Sequence, residues 1–149
     1  MSATLNQLTQ KLNAFLRDDP VLNELIDGKE SSPAQLRDAL EASLDDWNTT
    51  PPPIPFVTYD THPSKRLLIQ GAVIEILESA GILQSRNRLN YNDGGISVSV
   101  SDKAQSYASW ISAFASRYEQ KKLEIKKSIN ITRGWGQAPS EYYTIHGER

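Results

Sequence analysis

The stretch "HPSKRLLIQGAVIEILESAG", residues 62–81, sets the architecture. Leu67, Leu68, Ile69, Ala72, Val73, Ile74, Ile76 and Leu77 cover more than one face of a helix. A helix that is apolar nearly all round belongs at the centre of a fold, with partners on both sides. Gly71 stands in its middle, where glycine costs about 1 kcal/mol relative to alanine. A neighbouring helix passing close by would account for it. Gly81 reads as a left-handed C-terminal cap.

Partners for such a helix lie on either side in sequence. Leu5, Leu8, Leu12, Phe15 and Leu16 form one stripe, ended by Asp18-Asp19-Pro20 because the residue before proline avoids helical geometry. Ser32, Pro33 and Gln35 form the N-cap, first position and capping-box partner of a second helix, lined by Leu36, Ala39, Leu40, Leu44 and Trp47. Asp45 and Asp46 near its end diverge by about 100° on a helix and read as a solvated terminus, not an acid–base pair. "PPPIP", residues 51–55, excludes helix and central strand and reads as a stiff extended strap, 51–56, largely outside the core.

Downstream, "RNRLNYNDGGISVSVS" alternates Leu89 and Tyr91, then Ile96, Val98 and Val100, around Asn92-Asp93-Gly94-Gly95. This predicts a two-stranded hairpin over 86–101 whose glycines supply positive φ. A calcium loop fails on spacing, since Ser101 stands where the bidentate glutamate belongs. Asp102 caps a long helix with Ala104, Tyr107, Ala108, Ile111, Phe114, Ala115 and Tyr118 on one stripe. Beyond Tyr118 the stripe thins to Leu123 and Ile125 among Lys121, Lys122, Lys126 and Lys127, as though the helix ran past the body of the domain. The last stretch, 133–149, is glycine-rich yet holds Trp135, Tyr142, Tyr143 and Ile145, and reads as an extended tail. The fold class expected is mainly α: a helical bundle with one small β-hairpin and a C-terminal tail, in one domain of 149 residues.

Composition narrows function. The chain has no cysteine, which removes disulfides, thiolate metal sites and a cysteine nucleophile. His62 and His146 lack metal-pair spacing, and neither a glycine-rich phosphate loop nor a G-x-S-x-G elbow occurs. The expectation is a protein without enzymatic activity, cofactor or metal. No apolar run approaches the roughly 18 residues of a membrane span, and the first residues do not read as a signal peptide. The sequons at Asn48 and Asn130 are therefore read as chance. Net charge is −2, but residues 1–60 hold ten acids against four bases (−6) and residues 61–149 eight against twelve (+4). Such asymmetry can turn one subunit's acidic face toward a neighbour's basic one.

The helical body, the "NDGG" turn, the long helix ending "YEQKKLEIKKSIN" and the "RGWG…SEYY" tail together resemble head-to-tail connector (adaptor, neck) proteins of tailed bacteriophages. The likeness is architectural and runs from about residue 62 onward. It implies a structural virion protein, assembled in the host cytoplasm, that forms a homo-oligomeric ring between the portal protein and a tail or neck protein. The implied portal-facing segment is Arg133 to Ile145, with Arg133, Trp135, Tyr142, Tyr143 and Ile145 as anchors. The implied ring contacts are the hairpin, including Asp93, Gly94 and Gly95, and the basic helix end with Lys121, Lys122, Lys126 and Lys127. Other readings are a different neck or baseplate part, or a nucleic-acid-binding accessory protein touching packaged DNA through those lysines.

Overall fold

The computed structural model describes residues 3–23, 28–86, 90–93, 96–99 and 104–135. Within these residues the chain is mainly helical: α1 (Ala3–Leu16), α2 (Pro33–Thr49), α3 (Lys65–Arg86) and α4 (Ala104–Trp135). Between α3 and α4 the backbone of β1 (Asn90–Asp93) pairs antiparallel with β2 (Ile96–Ser99), Asn90 opposite Ser99 and Asp93 opposite Ile96. Asp93 closes β1. Gly94, Gly95 and Val100, with the rest of the hairpin expected over 86–101, lie outside the described residues.

α3 packs against α1 and α2 on one side and α4 on the other. Leu68, Ala72 and Val73 join Leu8, Leu12, Leu36, Leu40 and Leu44 in one core. Leu67 and Ile74 join Trp47 and Tyr118 in a second, edged by Ile111, Phe114, Ile125 and Ile129. Two cores served by one helix explain why its sequence is apolar on more than one face. Burying each large aliphatic side chain contributes about 1.5–3 kcal/mol, and α3 supplies Leu67, Leu68, Val73 and Ile74 to the two cores.

Local chemistry sets the helix ends. α1 stops at Leu16 and Arg17 turns left-handed at φ 54°. Asp18 then accepts from the amides of Glu30 (2.8 Å) and Ser31 (2.7 Å) and from Asn23 Nδ2 (2.7 Å), tying this turn to the start of α2. Burial works against the Asp18 charge, but these three donors outweigh it and hold its pKa below the usual carboxylate value. α2 opens on the expected capping box: Gln35 N donates to Ser32 Oγ (3.2 Å) and Ser32 N to Gln35 Oε1 (2.8 Å). α3 opens with Leu67 N donating to Ser64 Oγ at 3.2 Å.

Two expectations need correction. Gly81 is not a cap, because α3 continues to Arg86 and a Cβ there would stand 3.6 Å from Tyr107 Cβ. The residue lies inside a helix pair, not at an end. Arg133 and Trp135 belong to the last turn of α4, so the tail boundary moves beyond 135. No proline interrupts this stretch, and Gly134 adds no side chain that anything opposes. The strap at 51–56 lies largely outside the core, with Phe56 exposed as well, but it touches the core at one residue. Pro51, Pro53 and Pro55 are exposed, but Ile54 packs on the second core and Val57 on both. Asn48 grips the strap's far end, donating to Val57 O (3.1 Å) and accepting from Val57 N (3.0 Å).

Candidate functional site

Two features of α4 stand out: a buried polar joint along its distal half and an open groove along its proximal half. The joint is built on Asp46, half-buried near the end of α2. Its carboxylate accepts from Lys122 Nζ (2.8 and 3.1 Å) and Tyr118 Oη (2.7 Å), both on α4, and from Thr50 Oγ1 (2.9 Å). Lys122 also reaches Glu119 Oε1 at 2.8 Å and lies 4.9 Å from the centre of the Tyr118 ring. One turn on, Lys126 Nζ donates to the carbonyl of Thr50 and lies 5.4 Å from the Trp47 ring. Asn130 completes the row, donating to Pro53 O at 3.3 Å.

Burial sets the charges here. Desolvation opposes ionisation of Asp46, but Lys122, Tyr118 and Thr50 together lower its pKa. Desolvation and the Asp46 carboxylate push the Tyr118 phenol well above its ordinary value, so it stays a neutral donor. Desolvation and nearby Lys122 lower the pKa of Lys126. His62 packs on Trp47 with ring centres 4.5 Å apart, and its Nδ1 accepts from Ser64 N at 3.1 Å. Burial and the adjacent Lys65 push its pKa down to about 4, so it is neutral near pH 7. Every cation in the joint has an oxygen partner, which makes it a clamp between α4, α2 and the strap.

The basic run is thereby split. Lys122 and Lys126, expected at the surface as ring contacts, are 2% and 0% exposed and face inward. Lys121 and Lys127 face solvent. The stripe does not thin beyond Tyr118; it continues through Lys122, Ile125, Lys126 and Ile129, and Leu123 points outward. Asp46 likewise leaves the solvated pair read at 45–46 and becomes the anion of the clamp. Helical spacing of four from Tyr118 to Lys122 to Lys126 was the available signal, masked because lysine is ordinarily a surface residue.

The groove opens beside the proximal half of α4. It has a volume of about 570 Å³, between the end of α1, residues 18–23 and 30–31, α2, α3 and α4. Val73, Ile76, Leu77 and Phe114 form its floor, and Phe15, Leu83 and Trp110 stand open around it. Trp110 and Phe114 meet at 6.5 Å in a tilted pair. Asp18, Glu30, Asp38 and Glu75 supply charge, and among the described residues no lysine, arginine or histidine lines it. Desolvation, Glu78 and Asp46 raise the pKa of Glu75.

Of the remaining sequence-selected residues, Arg133 is exposed on α4, while Tyr142, Tyr143 and Ile145 lie outside the described residues. Among the described residues no group of three His, Cys, Asp or Glu is placed to hold a metal, and no helix is long and apolar enough to cross a membrane. Comparison with known proteins finds no matching family model, no matching curated protein and no matching solved structure.

Proposed function

We propose that this chain is a non-catalytic structural component of a tailed-bacteriophage particle, a head-to-tail connector that assembles into a ring between portal and tail. The observation that carries the reading is the open apolar groove beside a long, firmly clamped helix. Exposed contiguous apolar surface of this kind marks a binding site for another protein. α4 is 32 residues long, about 48 Å at 1.5 Å per residue, and the clamp fixes its direction. It delivers the segment from Arg133 onward, with Trp135, Tyr142, Tyr143 and Ile145, to a portal-side partner. The small hairpin over 86–101, together with exposed Lys121 and Lys127, makes the ring contacts.

A nucleic-acid role gains nothing from the fold, because two of the four lysines it would use are spent on Asp46 and Thr50. The test is deletion of the gene from the phage genome that carries it, with electron microscopy and peptide mass spectrometry of the particles. A connector role gives filled heads without tails, and wild-type particles that contain the chain. Tailed, infectious particles lacking the chain overturn it.

A further inference from the structure

We infer that the acidic groove receives the outer row of α4 from a second copy of this chain, in a head-to-tail contact. The inference rests on the assembly reading above and names the surfaces that would carry it.

Charge and apolarity together define the occupant. An apolar floor flanked by Asp18, Glu30, Asp38 and Glu75, with no basic residue among the described lining, calls for a segment that alternates aliphatic and cationic side chains. Glu75 is half-buried among other carboxylates, so an arriving ammonium group relieves an unfavourable field there. This chain carries such a segment on the solvent side of α4. Leu123, Lys127 and Ile131 follow one another at four-residue steps, and all three are exposed. They span eight residues, about 12 Å of helix. Lys127 is the cation of the row; exposed Lys121 and Arg133 lie two residues beyond its ends and face away from it, and Glu124 beside it accepts from Gln120 Nε2 at 3.2 Å.

Geometry decides that the occupant comes from another copy. The row and the Trp110 wall of the groove lie on the same helix, 13 to 21 residues apart, or about 20–30 Å. A helix cannot fold onto its own flank. The chain's own tail is a poorer candidate. Trp110 lies 25 residues before Trp135, about 37 Å along α4, and Phe114 21 residues, about 31 Å; fully extended, Tyr142 and Tyr143 fall short of both at about 25 and 29 Å, and only Ile145, at about 36 Å, reaches the near end. Residues 136–149 also carry Glu141 and Glu148 against Arg149, the wrong sign for an acidic groove. Two different patches in contact make a heterologous interface, which propagates until it closes.

The test is sedimentation velocity of the purified full chain from micromolar to submillimolar concentration, at low and high salt. The expected result is concentration-dependent association that weakens with salt. Trp110→Glu blocks the groove and Lys127→Glu blocks the row; both positions are exposed, so each variant should keep the wild-type circular dichroism melt. If Trp110→Glu melts lower, Leu83→Glu takes its place. Each variant alone should associate at least about tenfold more weakly. An equimolar mixture should form a one-to-one pair that grows no further, since one partner has only a groove and the other only a row. A monomeric wild type, undiminished association of either variant, or a mixture that fails to pair overturns the inference. So does association that appears only when 136–149 is removed, which would put the chain's own tail in the groove. None of these readouts uses a phage particle. Pairing with no particle role keeps the inference and discards the connector, and a connector built from unassociated copies does the reverse.

Discussion

The two halves of α4 invert the usual relation between polarity and burial. In the proximal half Trp110 is 61% exposed, while in the distal half Lys126 is fully covered. The difference lies in what each half faces. The proximal half faces a groove that α1, α2 and α3 leave open, so its aromatics have wall but no lid. The distal half faces the end of α2 and the strap, where Asp46, Thr50 and Pro53 present oxygens, and lysine is the side chain long enough to reach them while burying its stem. The α3 glycines record the same contrast. A Cβ at Gly71, opposite the distal half, would fall 2.2 Å from Ser43 Oγ and 3.0 Å from Tyr118 Cε2. At Gly81, opposite the proximal half, it would meet only Tyr107 Cβ at 3.6 Å.

Breaking the clamp should have the largest effect on stability. Asp46→Ala strips Lys122 of its main counter-charge and removes the acceptor of Tyr118. Removing one partner of a buried pair costs about 3–5 kcal/mol, and the low end applies because the Asp46 side chain is 35% exposed. Urea denaturation followed by circular dichroism measures it. A loss under about 1 kcal/mol would mean that the distal half is held by apolar contacts alone.

Acidification should come next. His62 is neutral in the folded chain down to about pH 4, whereas the unfolded chain takes up its proton near pH 6.5. The unfolded state therefore binds more protons between these values. The His62 contribution is complete above about pH 6.5 and is lost progressively as the pH falls toward 4. The whole window is worth on the order of 3 kcal/mol, at 1.36 kcal/mol per unit of displacement. His62→Gln should flatten stability across that interval, and a wild-type curve already flat from pH 6.5 to 4.5 would contradict the buried neutral ring.

The glycines sharpen the comparison with opposite signs. Gly71→Ala should cost about 1–3 kcal/mol through overpacking against Ser43 and Tyr118. Gly81→Ala should stabilise by up to about 1 kcal/mol, since the contact is ordinary and alanine favours the helix. Thermal melts of the two variants side by side decide it, and equal shifts would contradict the close approach of Ser43 on α2 and Tyr118 on α4 to Gly71. The smallest effect should come from Trp110→Ser, within about 0.5 kcal/mol of wild type, because an exposed ring contributes little to the monomer. A drop of 2 kcal/mol or more would place that ring in the core.

Much of the fold could be read from residue order because the relevant signals are local or periodic. Ser32, Pro33 and Gln35 start a helix by bonding within one turn, and Leu36, Leu40 and Leu44 recur at its period whatever lies opposite. The apolar breadth of 67–77 called for two partners, and Gly71 for a close neighbour; both demands belong to the segment itself. What residue order could not reveal was decided by contacts across 70 and more positions. Whether Lys122 and Lys126 meet water or Asp46 and Thr50 depends on where α2 ends relative to α4, and only the packed fold brings them together. Lysine is read as a surface residue because burying its charge without a partner is prohibitive. The partner here is supplied by tertiary structure, as is the missing lid that leaves Trp110 in the open, and neither has a signature in the local sequence.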